Sequence, residues 1–124
     1  GPELEEKKTV KATGPKRAQV AQKGSWTNLH EASEVGNMRE VNYQMERVNV
    51  NQGDENCWTP LLEACEKGHI KVVEALIAGH ADPNLGDKDG WTPLMAAAEK
   101  NNAAVANMLL NAGSSTEFQS VEDW

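Results

Sequence analysis

The 124-residue sequence contains few cysteines, one Phe, one Tyr and no long apolar run. Two cysteines, Cys57 and Cys65, are too few for a disulfide framework, which indicates a reducing intracellular compartment, either cytoplasm or nucleus. No apolar stretch approaches the roughly 18 residues that a membrane span requires, so no membrane partner is expected. No signal-peptide pattern is found at the start of the sequence. These features argue against a secreted disulfide-rich domain and against a transmembrane protein.

Positive charge is scarce in the part of the sequence that follows Lys23. The sequence carries a net charge of −7, from 12 Lys/Arg and 19 Asp/Glu. Six of the basic and three of the acidic residues lie in residues 1–23, so this segment has a charge of +3 and the remainder has −10. Because an acidic surface repels phosphate, we expect no direct nucleic-acid partner. A basic ligand is a better complement to this body.

What the sequence does contain is a repeat. The segments WTNLHEA, WTPLLEA and WTPLMAA begin at Trp26, Trp58 and Trp91, and their spacing is nearly constant. A period of about 33 residues with Thr-Pro-Leu at its head resembles the ankyrin repeat. The second copy, WTPLLEACEKGHIKVVEALIAGHADPN from Trp58 to Asn84, is nearly complete.

The resemblance implies an all-α fold, an ankyrin-repeat α-solenoid of helix-turn-helix units with short β-hairpin loops. It covers about residues 25–124, in repeats at about residues 25–56, 57–89 and 90–122. Residues 1–24 would then form a basic, flexible N-terminal tail or linker.

Local sequence features agree with this assignment. Thr59 and Thr92 suit helix N-caps, and Pro60 and Pro93 suit the first helical position, where no amide donor is needed. Gly68 can end the first helix in a left-handed conformation. Small residues allow the first helices to pack closely, namely Ala64, Cys65, Ala97 and Ala98. Apolar residues supply one side of the second helix, namely Ile70, Val72, Val73, Leu76 and Ile77.

Several positions depart from the family pattern. Asn28 replaces the usual proline, while His80 and Asn101 stand where glycine normally ends a helix; His and Asn tolerate a left-handed backbone better than most residues. Ser114 and Ser115 replace the usual small-Asp pair. Asp87-Lys88-Asp89-Gly90 predicts the tight turn of a projecting hairpin.

The two ends of the sequence carry further expectations. Trp124 follows Trp91 by one further period, which places it at the head of a fourth repeat and predicts that the sequence belongs to a longer array. Near the start, a helical turn within Arg17–Gln22 would cover the edge of the first repeat. The basic segment Lys7–Arg17 would also fit the ligand groove in an intramolecular contact.

The resemblance implies that ligands lie on the concave face, towards which the residue before each Thr points. In this sequence that residue is a tryptophan in every copy, and a tryptophan also stands at the fourth position of the register: Trp26, Trp58, Trp91 and Trp124. One interpretation is an aromatic ladder for a partner. The other is that each tryptophan packs against the next hairpin, as is common in the family.

Acidic residues follow the same register. A first group lies on the helices after the tryptophans: Glu31, Glu34, Glu63, Glu66 and Glu99. A spacing of three places such carboxylates on one side of a helix. A second group lies at the hairpins: Asp54, Glu55, Asp87 and Asp89. Aromatic rings beside carboxylates favour a cationic ligand. The alternative is a solvated acidic face that only maintains solubility.

The sequence gives little support for a catalytic site or a metal site. Cys65 and His69 are four residues apart, a spacing that can present two metal ligands, yet both occupy positions with structural roles in the family. His30 likewise occupies a structural position. No Ser-His-Asp or Cys-His arrangement and no phosphate-binding glycine loop is apparent. The sequence predicts no enzyme, no cofactor and no metal.

The function that follows is a protein-protein interaction module that binds a basic, Lys/Arg-rich segment on a concave Trp/Glu face. This face resembles those of some ankyrin arrays that read histone tails. Trp58 and Trp91 are the expected anchors, because central aromatic residues dominate many interfaces. The alternatives are a structural scaffold, a targeting domain of a larger signalling or enzyme protein, and a groove for an apolar helix.

Overall fold

The computed structural model describes residues 19–114, which form three helix-turn-helix units and a short two-stranded sheet. The helices are α1 (Asn28–Val35), α2 (Met38–Met45), α3 (Pro60–Lys67), α4 (Ile70–Ala78), α5 (Pro93–Glu99) and α6 (Ala103–Asn111). The strands are β1 (Gln19–Val20) and β2 (Leu85–Gly86). This confirms the predicted all-α repeat architecture. Within the described residues, no helix is long and apolar enough to cross a membrane.

A threonine begins the first helix of each described unit. The three caps are Thr27, Thr59 and Thr92, each extended and each accepting the amide N–H three residues on. Pro60 and Pro93 occupy the first turn as predicted. In α1 the backbone N–H of Thr27 also donates to His30 Nδ1 at 3.0 Å, which completes a reciprocal cap where Asn28 stands in place of proline. The missing proline therefore does not prevent helix formation.

Left-handed residues end the helices at the predicted positions. Gly68 ends α3 with φ 75°. Asn101 follows α5 with φ 56°, and His80 follows α4 with φ 75°. Both non-glycine residues therefore adopt the conformation that their positions require, at the cost of some backbone strain.

The core is one continuous apolar cluster that runs through all three units. The first helices α1, α3 and α5 pack in a row, and so do the second helices α2, α4 and α6. Fully buried small residues allow this approach: Ala64, Cys65, Ala96 and Ala97. Two predicted core positions are wrong, since Ala98 and Ile70 are exposed. Ile70 is the first residue of α4 and Ala98 lies in the last turn of α5, and neither side chain is part of the core cluster.

The N-terminal segment differs from its prediction. Gln19–Val20 forms a strand and residues 21–22 are not helical, whereas a helical turn was expected within Arg17–Gln22; residues 17–18 lie outside the described residues. β1 pairs in parallel with β2, with Gln19 opposite Leu85 and Val20 opposite Gly86. The predicted tail thus includes a segment that packs on the repeats.

The strain at His80 leads to a stability prediction. His80→Gly removes the side-chain penalty of the left-handed backbone, which outweighs the greater flexibility of glycine in the unfolded chain. We expect the free energy of unfolding to rise by about 0.5–1 kcal/mol, measured by urea denaturation. His80→Ala is the matched control: it removes the exposed imidazole but retains the strain, so an equal gain in both variants would contradict the explanation.

Candidate partner-binding face

Two hairpin loops present the central tryptophans through the same set of hydrogen bonds. Asp54 Oδ1 accepts the amides of Asn56 at 2.8 Å and Trp58 at 2.9 Å. One period later, Asp87 Oδ1 accepts the amides of Asp89 at 2.8 Å and Trp91 at 2.9 Å. Each aspartate therefore closes its own loop. Two of the predicted binding carboxylates thus have a structural task as well.

The indole of Trp58 is oriented by the hairpin loop that leads into the following repeat. Its Nε1–H donates to Asp87 Oδ2 at 3.1 Å, and the ring is half-buried. Its backbone carbonyl accepts a hydrogen bond of 2.7 Å from His30 Nε2 in the preceding repeat. Trp58 consequently packs against the next hairpin. Because the ring is not fully covered, this packing also leaves it available to a partner.

His30 is a buried structural histidine, as predicted. Nδ1 accepts the Thr27 amide, so the proton resides on Nε2, which donates to Trp58. Burial lowers the pKa of His30 and favours the neutral imidazole. Trp26 stacks on this ring at a centroid distance of 5.1 Å and is 44% exposed. Trp91 is half-buried against the core, and Trp124 lies outside the described residues.

Five of the predicted site residues line one open cleft, of about 290 Å³, at the junction of the first two repeats. They are Glu34, Asp54, Trp58, Glu63 and Glu66, and Asn56 and Lys67 complete the lining. We name this feature the acidic cleft. It joins α1, α3 and the loop that precedes α3, which explains why residues distant in sequence meet there. Sequence reasoning missed Asn56 and Lys67, although both flank predicted acids.

The other predicted residues lie outside the acidic cleft. Glu31 and Glu99 are exposed on α1 and α5, and Glu55 and Asp89 are exposed at the loops. Asp87 is buried under Trp58 and accepts three hydrogen bonds. Its carboxylate therefore holds the tryptophan in place.

Glu63 is the most unusual group of the acidic cleft. Its residue surface is only 8% exposed, and no described residue donates a hydrogen bond to its carboxylate. Burial, followed by the negative charges of Glu34 and Asp54, raises the pKa of Glu63 to about 7; Lys67 opposes this and Glu66 adds to it. Contact with a cation would therefore stabilise the charged form of Glu63.

Glu66 is only partly compensated. Its Oε2 forms an ion pair with Lys100 at 3.3 Å, while its Oε1 is buried without a described hydrogen-bond partner. The acidic cleft thus holds four carboxylates, with Lys67 in its lining and Lys100 beside it. The balance of charge is negative, and two of the acids have unfilled acceptor capacity.

The structure assigns packing roles to the residues considered as metal ligands. Cys65 is fully buried in the core, and burial raises the pKa of its thiol to about 12. His69 Nε2 bonds to the backbone carbonyl of Glu34 at 2.9 Å. Within residues 19–114, no group of three or more His, Cys, Asp or Glu side chains is arranged to hold a metal ion.

The raised pKa of Glu63 predicts how stability depends on pH. The folded state binds the proton more tightly than the unfolded state, so stability falls as pH rises from about 4.5 to about 7. Glu63→Gln should flatten this dependence and raise the free energy of unfolding at pH 8 by on the order of 2 kcal/mol. Chemical denaturation between pH 4.5 and 8 measures it, with the exposed Glu31→Gln as control. Parallel pH profiles of wild type and Glu63→Gln would contradict this interpretation.

Comparison with known proteins agrees with the geometry. A family model described as ankyrin repeats (3 copies) matches residues 29–120. No curated protein matches the chain. The matched region includes all six described helices except the first residue of α1. Ankyrin-repeat domains are typically non-catalytic and generally act as protein-protein interaction modules. With its period, its capped helix pairs and this match, the chain belongs to the ankyrin-repeat family.

Proposed function

We propose that this chain is a non-catalytic interaction module that binds a Lys/Arg-rich segment of a partner protein, such as a histone-like tail, in the acidic cleft. The observation that carries the proposal is Glu63, a buried residue whose side chain lines the acidic cleft and whose carboxylate has no described hydrogen-bond donor. Such a group is costly to maintain in the absence of a cation. A lysine or arginine of the ligand would supply the missing donor and charge.

The chemistry of the acidic cleft fits a cation better than a neutral ligand. Glu34, Asp54 and Glu66 surround Glu63, so an ammonium or guanidinium group meets several acceptors at once. Trp58 lines the same cleft, and a cation over its ring adds about 0.5–1 kcal/mol at an exposed site. Because the carboxylates act together, binding should depend on salt.

The remaining predicted residues would extend the contact along neighbouring repeats. They are Trp26, Trp91, Trp124, Glu31, Glu99, Glu55 and Asp89. Asp87 would contribute indirectly, because its hydrogen bond orients Trp58. The basic segment Lys7–Arg17 has the same chemistry as the proposed ligand, so we propose it as an internal competitor; it lies outside the described residues, and its charge is what supports it.

Peptide titration tests the proposal. Lys-rich peptides, including a histone-tail panel, are titrated into the protein with tryptophan fluorescence as the readout. We expect saturable binding that weakens about tenfold or more between roughly 50 and 300 mM salt. Binding should also tighten from pH 6 to pH 8, because ionised Glu63 attracts the cation and its proton must leave first.

Variants locate the binding site. Glu63→Gln and Trp58→Ala should each weaken binding about tenfold or more, and Glu63→Gln should abolish its pH dependence. Glu74→Gln is the matched control, because it makes the same change in charge at an exposed position on α4, outside the acidic cleft. Equal loss in Glu74→Gln would indicate a general charge effect. No binding by wild type would refute the basic ligand and favour a scaffold.

A further inference from the structure

A second recognition feature lies on the hairpin loops, outside the acidic cleft. The segment of residues 20–24 crosses two successive loops and forms main-chain hydrogen bonds with both. Its contacts are made by Gly53 and Cys57 of one loop and by Leu85 and Gly86 of the next. We name these four residues the hairpin strip.

Main-chain hydrogen bonds hold the segment on the hairpin strip. β1 pairs in parallel with β2, and the amide of Ala21 donates to the carbonyl of Gly86 at 3.0 Å. Further along, the amide of Gly24 donates to the carbonyl of Asp54 at 3.1 Å. Such bonds are available to any extended peptide, and addition of a strand to a free edge is a common mode of peptide recognition.

One side chain of the segment enters a slot between the two loops. Ala21 is 2% exposed and packs between Cys57 and Leu85. The approach is close, because a Cβ on Gly53 would lie 2.7 Å from the carbonyl oxygen of Gln22. Cys57 adopts φ 68° where the equivalent residue of the next loop is Gly90, so the backbone is strained at the residue whose side chain contacts Ala21.

The rest of the segment is attached lightly. Val20 is 52% exposed, and the side chains of Gln22 and Lys23 are exposed. Only Ala21 is buried, in a small cluster separate from the main core. A segment held by one small side chain and a few main-chain bonds can leave without disturbing the helices.

We propose that the hairpin strip is a strand-addition site for an extended segment of a partner protein that places an alanine-sized side chain between Cys57 and Leu85. The chain's own segment of residues 20–24 is the resident occupant that the partner displaces. Exchange of this segment with a second copy is the alternative, and it would be seen as a dimer. This site selects by shape and main-chain pairing, not by charge.

The first experiment removes the resident segment from the slot between Cys57 and Leu85 in the full chain. The indole introduced by Ala21→Trp is too large for the slot, whereas Gln22→Trp places the same ring at the exposed neighbouring position. A fluorescent peptide with the sequence of residues 17–25 is then titrated into each protein. We expect binding to Ala21→Trp at least tenfold tighter than to wild type or to Gln22→Trp, because the tethered segment competes at an effective concentration of about millimolar.

Side-chain selectivity and independence of Glu63 separate this site from the acidic cleft. The same peptide with tryptophan at the position of Ala21 should not bind. Adding Glu63→Gln should leave the binding of the unmodified peptide to Ala21→Trp unchanged. Equal binding of both peptides would overturn the proposal, and dependence on Glu63 would overturn it by placing the peptide in the acidic cleft instead.

The two cysteines report whether the segment has moved. The thiol of Cys57 is covered by Ala21, whereas that of Cys65 is fully buried in the core. In Ala21→Trp a thiol reagent should modify Cys57 at least tenfold faster than in wild type, while Cys65 stays protected and shows that the repeats are folded. Addition of the peptide should restore protection. Unchanged Cys57 reactivity would overturn the proposal.

Wild-type protein provides a measurement that needs no variant. The amides of Ala21 and Gly24 should exchange with solvent at least a hundredfold faster than that of Val73 in α4, because the segment detaches without unfolding. Equal rates would show that it is an integral part of the fold and would overturn the proposal. A wild-type dimer that is lost in Ala21→Trp would identify the occupant as a second copy and refute the partner assignment.

Discussion

Each repeat buries its apolar surface only against its neighbours, so the register between consecutive first helices is the constraint on which the described structure depends. α3 shows this directly, because it packs against both α1 and α5 and its residues Leu61 and Leu62 are fully buried. Two imidazoles strengthen the register between the first two repeats. His30 bonds forward to the carbonyl of Trp58, and His69 bonds back to the carbonyl of Glu34. Both bonds join a side chain of one repeat to the main chain of the other.

The same register assembles the acidic cleft. Glu34 comes from α1, Glu63 and Glu66 come from α3, and Asp54 lies in the loop before α3. A slip of one repeat against the next would separate these carboxylates. Their proximity is costly, since burial and mutual repulsion raise the pKa of Glu63. A fold that retains such a group gives up stability, which is a usual feature of sites adapted for binding.

Local features were the most predictable from the sequence. The caps at Thr59 and Thr92 and the left-handed residues Gly68, His80 and Asn101 were all predicted correctly, because each depends on its own backbone and nearest neighbours. The family match confirms the repeat assignment that rested on them. The position of Glu63 beside Glu66 also followed from helical spacing.

Features that depend on distant residues were not predictable in this way. The pairing of β1 with β2 joins parts of the chain that are far apart in sequence. The composition of the segment that contains β1 predicted a flexible tail. The burial of Glu63 depends on the loop and helix that cover it, which periodicity does not describe. The role of Asp87 was not predictable either, because an aspartate can serve as a surface charge or as a structural hydrogen-bond acceptor, and here it accepts from Trp58.

The bond between Trp58 and Asp87 also determines what counts as a transferable unit of this protein. The ring and the carboxylate that orients it stand at opposite ends of one repeat, and the imidazole that bonds to the tryptophan's carbonyl belongs to the repeat before. A repeat moved alone into another array would therefore carry the tryptophan and its aspartate without the imidazole that holds the main chain. The smallest module that preserves both contacts of Trp58 spans two consecutive repeats, so shuffling of this array, in evolution or by design, must move them as a block.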